Sequence, residues 1–364
     1  MLQVLFHAWE RRLADVTTDR VVRPFEWGLD WIPRDGQRPG AQPHEIVSDW
    51  VAGVTADTDA FFTPPPTADY DLRATSAADD DPPVLTFPSA FKTPHAANNT
   101  VYCRYFPARK THTTPSGAGA PRAAVLVLPQ WNADAGGHVG LCRLLAWNGM
   151  SALRLSLPYH DQRMPPELHR ADYIVSANVA RTVQVCRQAV LDARRAIAWL
   201  HAQGYDRIGI LGTSLGSCLA LLTTAHEPLI RAEALNHISP HFADVVWRGL
   251  STRHVREGLD GHVELDLLRA LWKPISPRWY LERLRDRRTL LVYARYDLSF
   301  PIDLSEDLVR AFGEAEVPHE IVVLPCGHYS TGKTPFKYYD GWVLTRFLKR
   351  NLLGSTATAS TSSP

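Results

Sequence analysis

From Val84 onward, short apolar runs alternate with longer segments whose apolar residues recur every three or four positions. Val84–Phe91 and Thr100–Phe106 read as an antiparallel pair joined by a polar turn, and Ala123–Leu128 is a continuous apolar run suited to a strand buried on both faces. Ser151–Leu157, Arg207–Leu211, Glu233–Ile238, Thr289–Ala294 and Glu320–Leu324 continue the strand series. Between them, helical spacing marks His138–Met150, Tyr173–Gly204, Leu215–Ala225, Leu304–Phe312 and Phe336–Leu348. Repeated strand–helix units predict a mostly parallel central sheet with helices on both faces. The core is expected over 84–239 and 289–350, interrupted at 240–288 by a stretch too long for a connection, hence an inserted helical cap. Residues 1–83 lack this rhythm. After a possible first helix they hold the tryptophan-rich Phe25–Trp31, then Pro64–Pro66, and they read as an extension packing its aromatic side chains on the core. The small, polar 351–364 reads as a disordered tail.

Composition narrows the class. With 45% hydrophobic and 21% charged residues, the 364-residue chain can bury a large core. A net charge of +1 supplies no field to gather nucleic acid. The five cysteines are odd in number and show no Cys-x-x-Cys spacing, which favours a reducing compartment over a disulfide framework or zinc ribbon. Met1–Arg12 has no charged leader or cleavage site, and no apolar stretch reaches the roughly 20 residues a transmembrane helix needs, so a cytoplasmic protein is expected. The glycine-rich loops that cradle nucleotides are missing, so no cofactor is expected. His160 and Asp161 raise the question of a metal, but neighbours in sequence rarely share one ion and no third ligand is marked; no metal is expected.

The strongest chemical signal is Gly212-Thr213-Ser214-Leu215-Gly216, which follows the apolar run Ile208–Leu211 and opens a helix. A serine on such a tight strand-to-helix turn projects its hydroxyl above the sheet, and the flanking glycines allow close backbone approach. With Tyr293–Pro301 and Leu324-Pro325-Cys326-Gly327-His328 following in order, the chain from about 84 to 350 resembles the α/β-hydrolase fold superfamily. The resemblance implies a nucleophile–acid–histidine order, here Ser214, Asp297 and His328. Asp244 also follows a strand and competes for the acid role. It further implies an oxyanion hole built from two backbone N–H groups, that of Leu215 and one from the loop Leu128–Asn132, where Trp131 leads and Gln130 is the runner-up. Pro129-Gln130 stands where many members carry His-Gly.

Further substrate contacts are expected from Gln130, from Tyr159 and His160 in the loop after the next strand, and from Trp247 in the cap, although a loop like Tyr159–Arg163 is as often held by its own salt bridge. The expected function is a serine hydrolase that cleaves a carboxylic ester, a small molecule, through an acyl-enzyme. Peptidase, thioesterase and lactonase chemistry use the same machinery, and a non-catalytic binding scaffold is the alternative from another class.

Overall fold

A computed structural model describes residues 2–34, 37–74, 81–108 and 122–354. The tail expected at 351–364 falls largely outside these residues, and Asn351–Leu353 belong to the last helix.

Among the described residues, nine strands form one sheet: β1 (Asp71–Arg73), β2 (Val84–Pro88), β3 (Thr100–Phe106), β4 (Ala123–Leu128), β5 (Ser151–Leu155), β6 (Arg207–Thr213), β7 (Ile230–Asn236), β8 (Arg288–Ala294) and β9 (His319–Leu324). Their spatial order is β1-β2-β3-β5-β4-β6-β7-β8-β9. β1, β2, β3 and β5 pair antiparallel, and every pair from β5–β4 through β8–β9 is parallel. β4 shows why its sequence is apolar without alternation. Ala124, Leu126 and Leu128 enter the core on one face, and Ala123, Val125 and Val127 enter the core on the other.

The helices are α1 (Leu2–Ala14), α2 (Pro43–Ala56), α3 (Thr58–Phe62), α4 (Val139–Trp147), α5 (Val179–Ala202), α6 (Leu215–His226), α7 (Phe242–Arg248), α8 (Arg253–Leu259), α9 (Leu265–Leu271), α10 (Ile302–Glu314) and α11 (Phe336–Leu353). Residues from α5 and α6 fill one core, and residues from α4 and α11 fill the other. The fold is therefore mixed α/β, with helices covering both faces of a mostly parallel sheet. α7, α8 and α9 with short 3₁₀ turns make up the segment between β7 and β8.

Two local expectations shift. The helix read from Tyr173 begins at Val179, because Asn178 caps it: its side chain accepts the Arg181 N–H at 3.0 Å. In the N-terminal region, α2 and α3 form where no rhythm was legible. Pro43 opens α2 and Glu45 reaches back to the Gln42 N–H at 2.9 Å, while Ile46, Val47, Val51, Phe61 and Phe62 join the main core. No helix among the described residues is long and apolar enough to cross a membrane.

Candidate active site

Five loops leave the carboxyl ends of β4, β6, β7, β8 and β9, the edge where parallel sheets place their ligand sites. Ser214 stands in the loop after β6 with φ 56° and ψ −119°, a backbone conformation uncommon for a residue with a side chain. Two glycines make the turn possible. A Cβ on Gly212 would lie 2.2 Å from the Gly216 carbonyl oxygen, and one on Gly216 would lie 2.2 Å from the Leu128 carbonyl oxygen and 2.5 Å from that of Pro129. Only glycine allows the start of α6 to dock onto the end of β4.

That docking sets the loop after β4 beside Ser214. Leu215 is the first residue of α6, so its N–H has no partner within the helix. In the facing loop, the Asn132 N–H donates to His160 Nε2 at 2.9 Å and the Ala133 N–H to the Gln130 carbonyl at 3.1 Å, so these two are engaged. Gln130 and Trp131 line the cleft with Ser214. The Trp131 ring is fixed by a 2.9 Å bond from Nε1 to the Ala171 carbonyl and by stacking on His254 of α8 at 5.7 Å.

Asp297 follows β8 and is buried. Its Oδ1 accepts the Ser299 and Phe300 N–H groups at 2.8 and 2.7 Å, and its Oδ2 accepts Nδ1–H from His328 and from His237, each at 3.0 Å. Burial alone would raise the Asp297 pKa, but the two imidazoles outweigh it and hold the carboxyl well below its ordinary range. Burial pulls His328 toward neutrality, yet the charge of Asp297, the bond to it and the charge of Glu10 together raise its pKa above the usual value. His237 is lowered, mainly by burial. Phe300 stacks on the His328 ring at 5.3 Å. With Nδ1 bound to Asp297, His328 Nε2 is the free ring nitrogen, and His328 and Ser214 line one cleft of about 870 Å³. The direct Ser214 Oγ–His328 bond is not formed among the described side chains; such contacts commonly tighten only with substrate.

The structure thus brings Ser214, Leu215, Trp131, Gln130, Asp297 and His328 together, and it separates others from them. Asp244 lies on α7 in a bidentate pair with Arg269, at 2.6 and 2.9 Å. Tyr159 is fully buried, with its hydroxyl 3.0 Å from His95 Nδ1. His160 is equally buried and both ring nitrogens are engaged: Nδ1 bonds the Pro158 carbonyl at 2.9 Å, and Nε2 accepts from Asn132 and so positions the Trp131 loop. Burial pushes the His160 pKa down to about 4, which keeps that acceptor available. Arg154–Asp161 and Arg163–Asp192 ion pairs at 2.9 and 2.8 Å hold the loop from inside. Trp247 does not line either cavity at Ser214. Phe242, Val245 and Val246 turn one face of α7 toward Ser214, and a further step of about 100° carries Trp247 away, under the Arg256 guanidinium at 5.0 Å.

Two residues near the chemistry had no sequence signal strong enough to single them out. His237 ends the run Leu235-Asn236-His237, and only the neighbouring β8 reveals that it faces Asp297. Glu10, fully buried, comes from α1: its carboxylate accepts the Tyr329 N–H at 2.8 Å and the Ser330 N–H at 2.9 Å. Phe6 of the same helix stacks on Tyr296, next to Asp297, at 4.6 Å. His237, Asp297 and His328 are also the group of metal-type ligands gathered among the described residues, with ligand atoms within 4.8 Å of one another. They could hold an ion only by giving up both N–H···O bonds to Asp297.

No protein-family model matches the sequence, and no curated protein matches it. Solved structures do. An acetyl xylan esterase from Paenibacillus sp. R4 matches with a TM-score of 0.58 and 16% identity, over 94% of this chain and 99% of that one. Acetyl xylan esterase 1 from Thermoanaerobacterium sp. JW/SL YS485 gives 0.57 and 13%, over 87% and 98%. The acylaminoacyl peptidase of Pyrococcus horikoshii gives 0.57 and 12% over 79% of this chain, which spans only 43% of the peptidase. At these identities the likeness is one of fold.

Proposed function

We propose that this chain, which has the α/β-hydrolase fold, is a serine hydrolase that cleaves a carboxylic ester through an acyl-enzyme on Ser214. One observation carries the reading: a serine on a positive-φ turn at a helix start shares a cleft with a histidine whose far nitrogen is bonded to a buried carboxylate. Serine is a poor nucleophile at neutral pH, so His328 Nε2 takes the Oγ proton as Oγ attacks the ester carbon. Asp297 keeps the ring in the tautomer that leaves Nε2 free and stabilises the imidazolium. The N–H groups of Leu215 and Trp131, with Gln130 as the runner-up to Trp131, receive the oxygen's developing charge. His328 then returns the proton to the leaving alcohol, and water releases the acid by the same steps in reverse order. An ester leads over an amide because an alcohol is the easier leaving group.

The test is covalent labelling with a fluorophosphonate probe. The parent chain labels, and Ser214→Ala does not label while melting near the parent temperature. A folded Ser214→Ala variant that still labels would remove Ser214 from the role, and an unlabelled, folded parent would favour a non-catalytic scaffold.

A further inference from the structure

We propose that the outer face of α4 and α11, which borders the mouth of the cleft, docks the chain on an anionic lipid surface with the cleft opening toward the bilayer. The docking needs no step of the serine hydrolase reading above; that reading adds only that the ester is met at this surface.

A surface helix is apolar on the side that meets the core and polar on the other. α11 departs from this rule. Val343, Leu344, Phe347, Leu348 and Leu352 are buried, yet Tyr338, Tyr339 and Trp342 are 66%, 46% and 51% exposed. At about 100° per residue these three rings, with Arg346 and Lys349, fall within an arc of about 100°. Tyr339 and Trp342 stack on each other at 6.0 Å, which joins them into one platform. α4 lies alongside. A Cβ on Gly341 would meet Leu144 Cδ2 at 3.7 Å and Leu141 Cδ1 at 3.9 Å, and Leu144 and Trp147 add side chains that are 37% and 64% exposed. An exposed apolar patch spread over two packed helices marks an interaction surface.

The charges around the rings choose the partner. α4 and α11 together carry Arg143, Lys337, Arg346, Lys349 and Arg350 against a single acid, Asp340, which is buried and accepts from Asn236. Arg350 is paired with Glu320. Among the described residues, Lys337, Arg346 and Lys349 meet rings and an amide in place of carboxylates: Lys337 lies over Tyr338 at 4.9 Å, Arg346 over Trp342 at 5.0 Å, and Lys349 donates to Asn148 Oδ1 at 3.2 Å. The net charge of +1 for the whole chain thus hides a local excess on one face. A second copy related by a twofold axis would set that excess against itself. An anionic bilayer complements both components of the face. Tryptophan and tyrosine rings seat at the level of the headgroups, and lysine and arginine beside them reach the lipid phosphates.

The position of the face fixes the orientation. Leu141 and Leu144 of α4 and Lys337, Tyr338 and Gly341 of α11 line the same cleft of about 870 Å³ as Ser214 and His328. The surface that meets the lipid is therefore continuous with a wall of the cleft.

Vesicle flotation tests the docking at about 0.15 M salt, where the Debye length of about 8 Å still permits attraction at contact. Vesicles of phosphatidylcholine alone are compared with vesicles containing one-third phosphatidylglycerol. The parent chain partitions at least tenfold more strongly onto the phosphatidylglycerol vesicles. Each cation near an anionic surface contributes about fivefold, so Arg346→Gln combined with Lys349→Gln lowers partition onto those vesicles about 25-fold. Trp342→Ser lowers it about tenfold by removing a ring from the interface. None of these three residues lines the cleft, so both variants keep the parent's turnover of dissolved 4-nitrophenyl acetate and its melting temperature, which separates lost docking from lost folding. Equal partition of the parent onto the two kinds of vesicle, or a charge variant that partitions like the parent, would overturn the proposal. So would a parent that is a dimer in solution and becomes a monomer on Trp342→Ser, because a second copy would then cover the face. Fluorophosphonate labelling of the same samples keeps the two readings apart: a chain that floats but does not label retains the docking and loses the hydrolase, and one that labels but does not float does the reverse.

Discussion

The serine turn and the histidine loop face the same cleft but draw in different measure on near and distant residues. The turn is built from consecutive residues: β6 delivers the chain, Gly212 and Gly216 permit the tight approach, and α6 carries it away. The histidine loop, Gly327–Ser330, closes on itself through the Gly327 N–H to Ser330 Oγ bond at 2.8 Å and through Thr331, whose hydroxyl donates to the Gly327 carbonyl at 2.8 Å, but it also leans on a distant segment. Its Tyr329 and Ser330 N–H groups end on Glu10, 320 residues from Ser330 along the chain, and a Cβ on Gly327 would lie 2.3 Å from the Glu10 side chain. Arg20 adds a 3.3 Å bond to the Tyr329 hydroxyl. A side chain in the cleft can thus be placed by its neighbours in sequence or by a distant segment that must fold onto it. Damage to the first kind should appear as a backbone effect, and damage to the second as a shift in electrostatics.

The largest test of this contrast concerns the acid that the distant packing brings to the ring. Asp297→Asn is expected to lower kcat by about 10⁴ with little loss of stability, since the amide favours the wrong imidazole tautomer. Asp244→Asn should cost less than about tenfold, because its carboxylate serves Arg269 of α9 rather than His328. Ester turnover by the two variants at neutral pH checks the order, and a reversed order would move the acid to α7.

Next comes the turn itself. Gly216→Ala forces a methyl group against the Leu128 and Pro129 carbonyls, so a loss of about 2–3 kcal/mol is expected in chemical denaturation. The displaced oxyanion loop should lower kcat by about 10² as well. Unchanged stability would show that the docking of α6 on β4 is looser than the distances imply.

Smaller effects separate the two residues around the histidine. His328 must be neutral to accept a proton, and its raised pKa places the acid limb of the pH–rate profile above the ordinary value of about 6.5. Glu10→Gln removes a charge that helps raise it, so the limb should move to lower pH, with kcat down about tenfold as one loop N–H loses its acceptor. His237→Phe should do the reverse. Without the second N–H donor, Asp297 becomes more basic and binds the imidazolium more tightly, so the limb moves to higher pH with a change in kcat of about threefold. Movement in the same direction for both variants would contradict the opposed roles assigned to Glu10 and His237.

Much of the fold was legible because its signals are local. Continuous apolar runs such as Ala123–Leu128 mark strands with both faces buried, and Asn178 and Gly212 act within a few residues of themselves. Where the other expected contact residues lie has equally specific causes. Tyr159 and His160 sit on the correct edge of the sheet, but the buried pairs Arg154–Asp161 and Arg163–Asp192 turn their loop inward. The segment between β7 and β8 does reach Ser214, yet whether Val246 or Trp247 touches the apolar pocket there depends on helix phase, which a count of aromatic residues does not contain. The N-terminal region hid α2 and α3 because its apolar residues gain their meaning only by packing on α5 and the cap.

The order of elements and the identity of the serine on the tight turn follow from residue types at short spacing, where steric limits on φ and the two- or three-to-four-residue periodicities act within one element. Which carboxylate meets His328, how two imidazoles come to share Asp297, and why a glutamate at position 10 supports a histidine at position 328 were decided only when the sheet closed and α1 packed on its edge. Hydrogen bonds and charge interactions reach only a few ångströms through space and are blind to distance along the chain.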